Sequence, residues 1–77
     1  MSDASDEEAR HQVRRLLLSG DNTVKNRSDE RRYQRAGARY REAREVAVAS
    51  GLEPDVVALI DRRLADLQAD GDGAGSR

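Results

Sequence analysis

Cysteine, tryptophan and phenylalanine are all missing from this 77-residue chain, and histidine and proline occur once each. Without cysteine there is neither a disulfide framework nor a thiolate metal site to stiffen so small a protein. The single histidine, His11, has no second histidine or cysteine with which to share a metal. It also lacks an orienting partner for acid/base work, so it reads as an exposed, inert side chain. No run approaches the eighteen apolar residues of a membrane span, and the acidic opening Met1-Ser2-Asp3-Ala4-Ser5-Asp6-Glu7-Glu8 is unlike a secretory signal. The expectation is a cytoplasmic protein with no membrane, metal or cofactor. Neither an enzymatic site nor a small-molecule substrate is expected, because the apolar residues suffice for one thin core and not for an enclosed cavity.

What is present is charge and helix pattern. Arginine supplies 13 of the 14 basic residues, which a coding bias toward Arg, Ala and Asp explains as readily as selection for the planar guanidinium. Between Lys25 and Arg44 eight basic side chains face three acidic ones, a net +5, while the rest of the chain holds six against twelve, a net −6.

Three helices are legible, and no strand pattern occurs. Ser5 and Glu8 form a capping box, Ala9, Val13, Leu16 and Leu17 follow the helical period, and Gly20 stands where a left-handed residue ends a helix. Helix one is expected from about Asp6 to Ser19. A loop follows, and Ser28 is placed to cap a second helix running from about Asp29 to Ser50. Its apolar seam comprises Tyr33, Ala36, Tyr40, Ala43 and Ala47, with Gly37 at the edge either tolerated or marking a close helix approach. Gly51, Leu52 and Pro54 signal a Schellman stop and an immediate new start. Helix three buries Val56, Val57, Ile60, Leu64 and Leu67 and should end near Ala69. The fold class is therefore all-α: a three-helix domain over residues 5–69, in which helices two and three form an antiparallel hairpin and helix one packs across it. Residues 1–4 and 70–77 are expected to be disordered. Within the latter, Asp70-Gly71-Asp72-Gly73 imitates the opening of a calcium loop but lacks its closing glutamate.

Two sets of residues are candidates for contact with partners. Leu18, Val46, Val48 and Leu59 lie off their helices' apolar stripes, and if they converge they form a patch suited to a protein partner or a homodimer. Arg31, Arg32, Arg35 and Arg39 could contact an anion or nucleic acid, or serve as a solvated face that pairs locally, as Arg41 can with Glu45. The tyrosines fall on the seam and not among the arginines, which weighs against base stacking.

Tyr33-Gln34-Arg35-Ala36-Gly37-Ala38-Arg39-Tyr40 resembles the first helix of a tetratricopeptide repeat, with Ala36 in place of the usual leucine. The overlapping string Arg39 to Ala47, with Tyr40 and Ala43, is similar to the second helix of such a repeat. The resemblance covers about twenty residues, without a second copy at the repeat period. It implies a helical-hairpin scaffold that binds protein segments, and carries over no binding residue. The primary functional expectation is a small non-enzymatic protein-interaction module that self-associates or docks on a partner. The alternative is an accessory nucleic-acid binder using the Arg-rich helix.

Overall fold

Alanine and glycine at helical spacing let two helices approach closely, and the fold is arranged around the helix whose buried seam they form. The computed structural model describes residues 3–75, with side chains from residue 6 to residue 69. It contains α1 (Asp3–Lys25), α2 (Arg32–Ala49) and α3 (Pro54–Gly75), and no strand among the described residues. α2 is the middle element, packing on α1 along one side and on α3 along the other. Its Ala36, Ala43 and Ala47 are fully buried, as is Ile60 of α3, and Ala9, Val13 and Leu17 of α1 close the core.

The α2–α3 connection matches its sequence signals. Gly51 takes φ +69°, its N–H donates to the Val48 carbonyl at 3.1 Å, and the Leu52 N–H reaches back to Ala47 at 2.9 Å. Those are the two bonds of a Schellman stop, and buried Leu52 supplies its apolar contact. Pro54, which has no N–H to leave unpaired, opens α3.

The other boundaries differ from expectation, each for a physical reason. α1 does not stop at Gly20, which is buried mid-helix beneath Tyr40. Asp21 and Val24 make tertiary contacts that hold the next turn in place, so α1 ends at Lys25. Ser5 falls inside α1 and is not its cap, because the helix already includes Asp3 and Ala4. Ser28 does not cap α2 either. The Asp29 carboxylate accepts the Arg31 N–H at 2.9 Å and its carbonyl accepts the Arg32 N–H at 3.1 Å, so Asp29 builds a turn that delays α2 until Arg32. At the other end the α3 backbone stays helical to Gly75, through much of the stretch expected to be a flexible tail. No proline interrupts it, and Gly51 is the one glycine with positive φ among the described residues. Of the stretches expected to be disordered, residues 1, 2, 76 and 77 lie outside the described residues.

The molecule measures 51 × 21 × 13 Å. It exposes 5809 Å², whereas a compact globule of its mass exposes about 4,700 Å². Three long helices around one thin seam leave much of their flanks uncovered.

Candidate functional site

The side chains that join all three helices form a polar cluster at the edge of the core. Tyr40 of α2 donates its hydroxyl to Asp21 Oδ1 of α1 at 2.5 Å. Arg63 of α3 grips the same carboxylate, Nη2 to Oδ2 at 3.2 Å and Nε to Oδ1 at 3.4 Å. Burial alone would raise the Asp21 carboxyl, but the hydrogen bonds from Arg63 and Tyr40 outweigh it and hold the group below its ordinary range. Burial, and then the bond to Asp21, push the Tyr40 phenol up to about 12. A second tie, between Arg10 and Glu53, joins α1 to the turn before α3 at the opposite end.

Between these two ties α1 and α3 stand apart above α2 and leave a groove of about 280 Å³. Val13, Leu17, Leu52 and Val56 line it, with Leu18 on the α1 side and Leu59 on the α3 side. Leu18 is 54 % and Leu59 51 % exposed, and their helices hold both at this one opening. Arg10, Arg14, Asp21 and Arg63 complete the lining.

Two of the four residues expected at a protein interface therefore converge. Val46 turns partly inward and packs on the core. Val48, 56 % exposed, is outside the groove. Among the arginines expected to act together the structure separates two pairs. Arg35 and Arg39 line a hollow of about 870 Å³ between α1 and α2, together with Arg15 of α1. Arg31 is outside that hollow, and Arg32 lies 4.8 Å from the Tyr33 ring centroid, donating to the Arg27 carbonyl. Arg41 shows no pair with Glu45 among the described residues and lies beside Gly37, while Arg44 reaches across to Asp61 of α3 at 2.7 Å.

Asp21 and Arg63 were not singled out by the sequence. The local sequence places Asp21 in a loop, and 42 positions separate it from Arg63, so no helical spacing relates them. The one available hint was that Arg63 flanks the buried stripe, three residues after Ile60. His11 is exposed on α1, and no group of three metal-ligating side chains occurs among the described residues. No helix among them is long and apolar enough to cross a membrane. The residues that resemble a tetratricopeptide repeat, Tyr33 to Ala47, all fall on α2, with no turn between the two halves of the pattern. Comparison with known protein families, with curated proteins and with solved structures finds no match to this chain.

Proposed function

We propose that the protein is a small, non-enzymatic interaction module of the cytoplasm that self-associates through the groove between α1 and α3. The observation that carries this reading is the convergence of half-exposed Leu18 and Leu59, from two helices, on one apolar opening. The charges around it permit a second copy. Arg10 is matched by Glu53 and Arg63 by Asp21, which leaves Arg14 as the one lining charge without an ion pair among the described residues, so the rim carries both signs with a small positive excess that a two-fold contact must keep apart.

The expected strength follows from the area left to bury. Half of a leucine side chain is worth about 1 kcal/mol, and an isologous contact buries four such halves. That is a gross gain of about 4 kcal/mol, which places the contact among weak associations. Closure of the groove floor strengthens this, and the rotational and translational cost of association opposes it.

Sedimentation equilibrium over a hundredfold concentration range reaching millimolar protein tests the reading. The expected result is an apparent mass that climbs toward the dimer and fails to climb in a Leu18→Ser/Leu59→Ser variant. A monomer mass throughout removes self-association and leaves the groove to a different protein. The alternative reading, an accessory nucleic-acid binder, rests on Arg35 and Arg39, which share the other hollow with Arg15. A short DNA duplex bound with a steep loss of affinity as salt rises would favour it.

A further inference from the structure

We propose that the hollow between α1 and α2 binds a compact, multiply charged phosphate anion of the oligophosphate class. Three arginines from two helices line it: Arg15 of α1, and Arg35 and Arg39 one turn apart on α2. Planar guanidinium forks match phosphate oxygens in pairs, which a point charge cannot do. The amides of Asn22 and Asn26 and the hydroxyl of Ser19 border the same space and offer neutral donors.

The one carboxylate in the lining offsets part of this charge and leaves two of the three arginines clear of it. Asp29 accepts the Arg31 N–H through Oδ1, and its Oδ2 lies 3.6 Å from Arg35 Nε, so Arg35 is partly paired and an incoming phosphate competes with that contact. Arg15 has no carboxylate within salt-bridge distance among the described residues. Arg39 is 3.8 Å from Glu42, with both side chains about half exposed. A contact of that length in water is weak and easily exchanged for a phosphate.

The shape of the site selects the kind of anion. A nucleic-acid backbone needs a continuous basic track, and α2 does not provide one, because Arg32 is turned onto Tyr33 and Arg31 lies outside the hollow. No aromatic side chain lines the space on which a base could stack. What remains is an open hollow with arginines from two helices on its walls, which suits a short, highly charged anion better than a long strand.

Leu18 borders both this hollow and the groove of the proposed self-association, but Leu59 borders only the groove. Leu59→Ser therefore separates the two ideas, and phosphate binding should survive it unchanged. The test is titration of the full chain at low salt with sodium tripolyphosphate and with inorganic phosphate, by calorimetry and by the arginine Nε–Hε resonances. Saturable binding is expected, tighter for tripolyphosphate, with affinity falling about tenfold for each of Arg15→Gln and Arg39→Gln. Arg62→Gln, an exposed site on α3 outside the hollow, should leave affinity unchanged. Circular dichroism confirms that each variant is folded, and Arg15→Lys, which keeps charge without the fork, should show an intermediate loss. Absence of saturable binding, or equal affinity in the Arg15→Gln and Arg62→Gln variants, overturns the proposal. A short DNA duplex that binds more tightly than tripolyphosphate overturns the compact ligand in favour of a backbone.

Discussion

Gly20 and Gly37 make opposite demands, although both are buried glycines inside helices. A Cβ added at Gly20 would lie 2.5 Å from Cε1 of Tyr40, a ring held by its bond to Asp21. At Gly37 the nearest atom is Leu67 Cδ2 at 3.4 Å, an ordinary contact with the end of a flexible side chain. Gly20→Ala is therefore expected to destabilise by about 1 to 3 kcal/mol through overpacking. Gly37→Ala should be neutral or stabilising by up to about 1 kcal/mol, the helix propensity it recovers. Urea denaturation of the two variants checks the contrast, and equal midpoints would show that Tyr40 moves aside freely.

The Asp21 cluster adds a dependence on pH at both ends of the scale. Asp21 titrates below its unfolded value, so its stabilisation is complete above that value and is lost as pH falls through the lower, folded one. Asp21→Asn should lower stability at neutral pH and flatten the acid limb of the stability curve. Tyr40 behaves in the opposite sense. Its neutral form is favoured in the fold, so its contribution is present below the ordinary phenol value of about 10 and is lost as pH rises through about 12. Ultraviolet titration of a Tyr33→Phe variant isolates that phenol, and an ordinary midpoint would mean that it is neither buried nor bonded to Asp21 in solution.

At the scale of the element, the helices were legible in sequence wherever a local signal had no competitor. Gly51, Leu52 and Pro54 act through backbone preference and one local apolar contact that point to the same geometry, so nothing competes with them there. Gly20 shows where such reading stops. Its local preference favoured a helix end, but the packing of Tyr40 over it and the hold on Asp21 reward one more turn, and neither partner is near in sequence. The candidate groove was half legible for the same reason. Departure from the apolar stripe marked Leu18 and Leu59 as exposed, but whether two such residues share an opening depends on how α1 and α3 are set on α2. Within α3 the stripe was readable and its centre was not. Ile60 is fully buried, whereas Leu64 keeps part of its surface in water beside Leu67. Ile60→Ala should cost about 2 to 5 kcal/mol, and Leu64→Ala less. Thermal unfolding with the reverse order would place the heart of the core one turn further along the helix.

The whole molecule combines a thin core with long uncovered flanks, and association adds to its stability by mass action. Whatever binds only the folded chain raises its melting temperature in proportion to the logarithm of concentration. Differential scanning calorimetry across the same hundredfold range should show that rise in the wild-type chain and none in the Leu18→Ser/Leu59→Ser variant. A flat midpoint in both would agree with a monomer and direct attention to a different partner for the groove.

The central position of α2 also bears on the way the chain folds. Each of its two main interfaces is with a sequence neighbour across a short connection, so either helical pair can form without closing a long loop. Topologies of such low contact order fold in microseconds to milliseconds. Two alternative nuclei, α1 with α2 or α2 with α3, share one helix, and the third then docks on a template already in place. α2 is thus the segment common to every partly folded form, and its amide protons should be the last to exchange with solvent when either outer helix detaches.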